Sequence, residues 1–187
     1  MTKIYYADFS CEKQDNLSFK DFGEERKDYL SSITNKNRFL QSFYCWKLLL
    51  YALNLHKIDF SCGFCQNKNG AWRFKDKNLK IYFSLSHCET VVVVAVSDFP
   101  VGVDTEKYSQ KILFLCDKYK GEIDPNNKED KISALIKLWT EKESVYKVKS
   151  AKFLNFYTIE NNTGEKFGLS VAGKDKITEI IKTEKFN

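Results

Sequence analysis

The chain has 187 residues, of which 43% are hydrophobic and 15% aromatic, and its formal net charge is +5. This length and composition allow a buried core in one or two small domains and exclude an intrinsically disordered protein. The longest apolar runs, Leu48–Leu53 and Val91–Val96, are too short to cross a bilayer, and the N-terminus lacks the apolar stretch of a signal peptide. We therefore expect a cytoplasmic protein without a membrane partner.

The first half of the chain is predicted to contain a strand, two helices, a hairpin and three further strands. The second helix is the strongest, because its apolar residues cover a broad face and Thr34 or Asn35 can cap its first turn. The last three strands are expected to form an antiparallel meander. In chain order, the predicted elements are Ile4–Phe9, Asp21–Leu30, Asn35–Asn54, 58–66 with 71–75, Ile81–Ser86, Val91–Ser97 and Val101–Glu106.

The second half is predicted to contain a short helix, a polar link, a long helix and a tail of three short strands. In chain order, the predicted segments are Gln110–Lys118, Gly121–Asn127, Lys128–Lys149, Phe153–Glu160, Lys166–Val171 and Ile177–Ile181.

One pair among the six cysteines, Cys62-Gly-Phe-Cys65, has the spacing of half a structural zinc site. No second such pair follows, and neither His56 nor His87 forms a ligand pattern with it. We therefore expect no structural zinc, and we expect the cysteines to be reduced, small apolar side chains.

Two carboxylates lie two residues apart in the predicted strand that ends the first half. Residues two apart share a face of a strand, so Asp104 and Glu106 point the same way. Two such carboxylates repel each other unless a cation lies between them. A solvated strand face is the simpler alternative.

A third carboxylate, Glu143, lies in the middle of the apolar stripe of the long helix. A carboxylate on a buried face must be paired, protonated or bound to a metal. Lys147, one turn later, can either pair with Glu143 or reach an anion beside it. Asp104, Glu106 and Glu143 together suggest a site for a hard metal ion. The stripe consists of Ile132, Leu135, Ile136, Trp139 and Tyr146.

Three segments together resemble the signature of the 4′-phosphopantetheinyl transferases, and among these the surfactin-synthetase-activating type. The resemblance runs from about Glu25 to about Phe153. The segments are Ser84-Leu-Ser-His87, Val101-Gly-Val-Asp-Thr-Glu106, and Trp139-Thr-Glu-Lys-Glu-Ser144 with Lys147.

Members of that family move the phosphopantetheine arm of coenzyme A onto a serine of a carrier protein and release 3′,5′-ADP. The resemblance implies an α+β fold of two similar α/β halves about a pseudo-twofold axis, with the site between them. Residues 1–106 would hold the Ser-His and Asp-x-Glu motifs, and residues 107–187 the Trp-x-x-Lys-Glu-Ser helix. It also implies a monomer, since the fused halves replace a subunit interface.

The resemblance also implies roles for individual residues. Mg²⁺, with Mn²⁺ left open, would be held by Asp104, Glu106 and Glu143. Glu143 would act as metal ligand, as general base for the carrier serine, or as both. The catalytic residues would be Glu143, Lys147 and His87, and the contacts to coenzyme A would come from Arg38, Ser86, His87, Lys147 and Arg26.

Two departures from the family pattern bear on coenzyme A. Ala71 stands where many relatives have the lysine of a Gly-Lys-Pro segment, and Phe39 stands where a threonine is often found. Replacements for the lysine could come from Lys68, Arg73 or Lys75. Because of these departures, a second interpretation stays open: the protein could be a non-catalytic relative that binds coenzyme A or a carrier without modifying it.

The expected macromolecular partner is an acyl or peptidyl carrier protein, and the modest positive charge is compatible with an acidic partner. Fatty-acid, polyketide and peptide synthesis all use such carriers, and the sequence does not choose between them. We expect no nucleic-acid partner, because the basic residues form neither a concentrated stripe nor a recognition motif.

Overall fold

The computed structural model describes residues 1–12, 17–119, 121–122, 128–148 and 150–184, and only the backbone of residues 128–130. Three α-helices, one short 3₁₀-helix and nine strands occur in this part of the chain. The helices are α1 (Glu24–Ser31), α2 (Lys36–Leu55), the 3₁₀-helix (Gln110–Leu115) and α3 (Lys128–Val148). The strands are β1 (Thr2–Asp8), β2 (Phe64–Gln66), β3 (Trp72–Phe74), β4 (Tyr82–Cys88), β5 (Val91–Ser97), β6 (Val101–Lys107), β7 (Phe153–Glu160), β8 (Lys166–Gly173) and β9 (Ile177–Lys182).

The first sheet has the strand order β4-β5-β1-β9 and carries α2 on one face. Asn35 caps α2, as the sequence predicts, because its side-chain oxygen accepts a hydrogen bond from the Arg38 backbone nitrogen at 3.0 Å. β5 is buried on both faces: Val92, Val94 and Val96 pack toward α2, while Val91, Val93 and Ala95 pack into a second core.

The predicted meander is wrong at its third strand. β4 and β5 pair antiparallel, but the other edge of β5 is taken by β1. β6 therefore enters a second sheet, of order β6-β8-β7. Its valines, Val101 and Val103, belong to the same core as the second face of β5. The chain thus passes from one sheet to the other between β5 and β6.

The second sheet is covered by α3, and α3 also packs on the 3₁₀-helix. The predicted helix Gln110–Lys118 is a shorter 3₁₀ segment, in which Ile112 and Leu115 are buried and Phe114 is 75% exposed. Of the predicted link Gly121–Asn127, residues 123–127 lie outside the described residues, as does Lys149 at the predicted end of the long helix.

The remaining predictions hold in outline. The hairpin forms, but its strands β2 and β3 have only three residues each, and the Asn67 side chain accepts hydrogen bonds from two backbone nitrogens of its turn. β9 joins the first sheet, parallel to β1. The result is a mixed α+β protein with several sheets. In the described ranges, none of the helices has the length and apolar character needed to traverse a bilayer.

Candidate functional site

The two sheets meet where β4 lies beside β6. Ser84 Oγ accepts a hydrogen bond from the Val103 backbone nitrogen at 3.1 Å, and Ser86 Oγ accepts one from the Thr105 nitrogen at 3.2 Å. Both hydrogen bonds join residues that are 19 positions apart in the chain, so the two strands run in the same direction. Serine hydroxyls thus replace the backbone carbonyls of an ordinary ladder, and we call this contact the serine seam.

Asp104 lies at the serine seam and is only 8% exposed. Its Oδ1 accepts hydrogen bonds from Ser86 Oγ at 2.9 Å and from Lys147 Nζ at 2.8 Å. Lys147 Nζ also donates to the Val103 carbonyl at 2.8 Å. The sequence left open whether Lys147 pairs with Glu143 or reaches another anion; in the structure its ion-pair partner is Asp104.

Gly102 allows α3 to approach the seam. A Cβ at this position would lie 2.0 Å from the Ser144 carbonyl oxygen and 3.1 Å from Lys147 Cβ. The helix backbone therefore rests directly on β6. This contact brings the Lys147 ammonium within reach of Asp104.

The buried face of α3 differs from the predicted apolar stripe near its C-terminal end. Tyr146 is 73% exposed, whereas Thr140 and Ser144 are fully buried against the second sheet. Thr140 Oγ1 lies 2.6 Å from Ser170 Oγ on β8. Small polar residues permit the close approach at Gly102, and an apolar-periodicity argument overlooks them.

Glu143 is half-buried and lines a cavity of about 670 Å³ between α3 and the β2–β3 hairpin. We call it the helix-side cavity. Besides Glu143 it is bordered by Trp72, Phe83, Tyr146 and Lys147, among other residues. Glu143 therefore faces open space beside the seam and is not enclosed in the core.

Glu106 lies two residues beyond Asp104 on the same strand, and the two carboxylates influence each other. Burial raises the pKa of Glu106, the negative charges of Asp104 and Glu89 raise it further, and a hydrogen bond from the Cys88 thiol opposes the shift. A cation beside the pair would stabilise both carboxylates.

Within the described ranges, no group of three or more His, Cys, Asp and Glu side chains is arranged to hold a metal ion. The assignment of Asp104, Glu106 and Glu143 as a metal triad therefore stays a prediction. Mg²⁺ binds through one or two carboxylates together with substrate phosphates. The oxygen donors of Asp104 and Glu106 fit that requirement.

Arg26 is buried, with only 3% of its surface exposed, so it is not a solvated surface charge. One terminal nitrogen donates to the Ser42 carbonyl and hydroxyl at 2.6 and 2.7 Å. The guanidinium carbon lies 4.4–5.2 Å from the ring centroids of Tyr29, Trp46 and Trp72. We call these three rings the aromatic cage.

The charge of Arg26 is only partly satisfied. Its Nε has no hydrogen-bond partner, and among the described residues no carboxylate forms an ion pair with it. Burial lowers its pKa to about 10. A buried cation without a counter-charge is costly, and an anion bound beside it would stabilise it.

A second cavity, of about 340 Å³, joins Arg26 to the seam. It is lined by Arg26, Ser86, His87, Asp104 and Lys147, among others, and we call it the basic cavity. Gly70, Trp72 and Leu85 border it as well and, together with Lys147, are shared with the helix-side cavity.

His87 lies at the end of β4 and its side chain is exposed. The protein atoms packed around its ring nevertheless displace water and lower its pKa, and the positive charges of Lys147 and Arg38 act in the same direction. Arg38, exposed in the first turn of α2, is thus within electrostatic reach of the basic cavity. The structure gathers Arg26, Ser86, His87 and Lys147 around the basic cavity, and Arg38 acts on His87 through its charge.

The aromatic cage was missed from the sequence. Its rings come from α1, α2 and β3, which are distant in the chain, so no local pattern connects them to Arg26. The excess of aromatic residues was a signal, but it did not identify the partners.

No family model matches the chain. A search of curated proteins finds a 4′-phosphopantetheinyl transferase of Aneurinibacillus migulanus that is 32% identical over 72 residues. The match covers 36% of this chain and 30% of that protein's length. This partial similarity supports a distant relationship to the 4′-phosphopantetheinyl transferase superfamily.

Proposed function

We propose that the protein transfers the 4′-phosphopantetheine moiety of coenzyme A to a serine of an acyl or peptidyl carrier protein and releases 3′,5′-ADP. The observation that carries the proposal is the basic cavity at the serine seam. There, an unpaired buried arginine, a histidine, a serine and a lysine surround a carboxylate. Arg26 has no counter-charge among the described residues, and Lys147 pairs only with Asp104, so these cations suit a substrate with several phosphates.

The phosphates of coenzyme A are assigned to the cations of the basic cavity. Arg26 and Arg38 would hold the nucleotide end, and Ser86, His87 and Lys147 would contact the pyrophosphate. Lys147 already forms three contacts through one flexible ammonium group, with Asp104, Val103 and Leu85. It can exchange a carbonyl contact for a phosphate oxygen without moving its backbone.

Glu143 is assigned to the carrier serine. It borders the helix-side cavity next to Lys147 and has room for a hydroxyl group beside it. As general base it would accept the serine proton while the serine oxygen attacks the phosphorus that bears pantetheine. The bond from that phosphorus to the bridging oxygen then breaks, and 3′,5′-ADP leaves.

Mg²⁺ would be held by Asp104 and Glu106, with Glu143 as a further ligand in place of, or besides, its role as base. When bound, the ion would neutralise charge on the pyrophosphate. We further propose the surfactin-synthetase-activating type, a pseudo-twofold arrangement of residues 1–106 and 107–187, and a cytoplasmic monomer. Each sheet has its own covering helix, α2 or α3, which suits two similar halves, but β6 lies in the second sheet and β9 in the first, so the sheets do not divide at residue 106.

The test is intact-mass spectrometry of an apo-acyl-carrier protein and an apo-peptidyl-carrier domain, each incubated with this protein, coenzyme A and Mg²⁺. We expect a gain of one phosphopantetheine that requires the metal and the acceptor serine of the carrier. No gain on either carrier, despite measured coenzyme A binding, would favour the non-catalytic relative that the missing lysine at Ala71 suggests.

Replacing Arg26 should affect the affinity for coenzyme A much more than the free energy of unfolding. We expect Arg26→Met to weaken coenzyme A binding by about tenfold to a hundredfold, because a charged hydrogen bond is lost. Its free energy of unfolding should stay within about 1 kcal/mol or rise, because Met fills the aromatic cage without a buried charge. Calorimetric titration with coenzyme A and urea unfolding measure the two effects.

The matched control for that variant is Lys111→Met, which removes an exposed cation that borders neither cavity. It should leave both quantities almost unchanged. A destabilised Arg26→Met protein with unchanged coenzyme A affinity would show that the arginine is structural.

Restoring the missing lysine should strengthen binding. Ala71 is exposed in the hairpin turn and borders the helix-side cavity, so a longer side chain fits. Of the nearby cations, Lys75 is already paired with Glu25. We expect Ala71→Lys to lower the Kd for coenzyme A by about fivefold, from one added exposed charge contact. Ala71→Gln, similar in length but neutral, should not.

A further inference from the structure

The base of the β2–β3 hairpin carries two cysteines that the proposed reaction does not use. Cys62 lies in the turn before β2 and Cys65 lies on β2 itself. Both are half-buried, whereas Cys45 is buried in the core, where burial raises the pKa of its thiol to about 12. Cys62 and Cys65 are therefore more accessible to solvent than Cys45.

The backbone between the two cysteines is bent. Gly63 has a φ of +74°, which a glycine adopts without strain. Its nitrogen donates to the Phe60 carbonyl at 2.9 Å, and its carbonyl accepts from the Lys75 nitrogen at 3.0 Å. Cys62 Sγ lies 3.5 Å from the same carbonyl of Gly63, so the thiol is within reach of the backbone that leads to Cys65.

A lysine lies beside the glycine that separates the two cysteines. The Lys75 side chain crosses Gly63, and its Nζ would be 3.7 Å from a Cβ at that position. Its ammonium group interacts electrostatically with Cys62 and with Cys65, and it also pairs with Glu25. A neighbouring cation favours the thiolate, which is the reactive form of cysteine.

We propose that Cys62 and Cys65 are a dithiol pair that forms an intramolecular disulfide in exchange with a low-molecular-weight disulfide such as oxidised glutathione. One cysteine thiolate attacks the glutathione disulfide, forms a mixed disulfide and expels one glutathione thiolate. The other cysteine thiolate then attacks the protein sulfur and expels the second glutathione. The pair loses two electrons and two protons, and one disulfide is reduced to two thiols.

The position of the pair connects it to the cavities. The same hairpin carries Gly70 and Trp72, which border both of them. Trp72 of that hairpin packs on the Trp46 ring at 5.0 Å. The inference does not depend on the transferase proposal.

The test equilibrates the full chain with mixtures of reduced and oxidised glutathione, quenches with acid, alkylates, and maps peptides by mass. In the wild type we expect Cys62 and Cys65 to be linked without retained glutathione. In Cys62→Ser and Cys65→Ser, the remaining cysteine should retain one glutathione, since no second thiol resolves it. Exposed Cys11 is the internal control and should at most form a mixed disulfide.

Two results would overturn the proposal. One is that Cys62 and Cys65 of the wild type remain separate thiols, each alkylated, under oxidising mixtures. The other is that either of them carries a stable glutathione.

The role of Lys75 is tested separately, by the rate of disulfide formation. Lys75→Gln should slow disulfide formation on the order of fivefold and leave the rate at Cys11 unchanged. Equal rates in the two proteins would refute the assignment of Lys75.

Discussion

Asp104→Asn is expected to reduce phosphopantetheine transfer by about 100-fold, an effect typical of residues that orient a metal or its ligands. The amide keeps the size of the side chain and can still accept the Ser86 hydrogen bond. It removes the negative charge that attracts Lys147 and that we assign to the metal ion. The measurement is the initial rate of holo-carrier formation by intact mass, with saturating coenzyme A and Mg²⁺.

The control is Asp117→Asn, which neutralises an exposed carboxylate that borders neither cavity. It should be fully active. Urea unfolding of Asp104→Asn should show a folded protein, because the backbone bonds of the serine seam do not involve the carboxylate. A fully active Asp104→Asn protein would contradict the metal assignment at this position.

Gly102→Ala is expected to lower the free energy of unfolding by about 3 kcal/mol, the upper part of the range for overpacked cores. The added methyl group would lie 2.0 Å from the Ser144 carbonyl oxygen, which belongs to a helix backbone and cannot rotate away. Either α3 or β6 must shift. Because the same contact places Lys147, the shift should also reduce transfer. Urea unfolding and the carrier assay measure the two effects.

Gly173 provides the matched control, because it lies opposite Val101 in the same sheet. A Cβ there would be 3.6 Å from its nearest neighbour, the Pro100 carbonyl, which is an ordinary contact. Gly173→Ala should change the free energy of unfolding by less than about 1 kcal/mol. Equal stability of the two variants would show that α3 can be displaced from β6 at little cost.

Local signals predicted much of the secondary structure. The boundaries of α2 follow from its cap and its broad apolar face, and β4, β5 and β6 each begin within one residue of the predicted start. The order of strands in the sheets was not predictable in the same way. A strand buried on both faces, such as β5, reads identically whichever strands lie beside it. The sequence pattern therefore does not indicate that β6 belongs to a second sheet.

The candidate site was predictable as a set of residues but not as a set of contacts. The motifs pointed to Ser86, Asp104 and Lys147, and the structure brings these three together. The choice of Asp104 as the partner of Lys147 depends on how closely α3 approaches β6. That distance is set by Gly102 together with small buried polar residues, whose effect appears only once the two elements are packed.

The pairing of β1 with β9 has a consequence for how the chain folds. Thr2 lies opposite Ile177, so the first sheet is completed by a strand that is made long after β1. Until β9 leaves the ribosome, the outer edge of β1 is an unpaired strand that can capture another nascent chain. Closing so long a loop also slows the final step of folding. We therefore expect the yield of native protein to depend on temperature and on chaperones during expression.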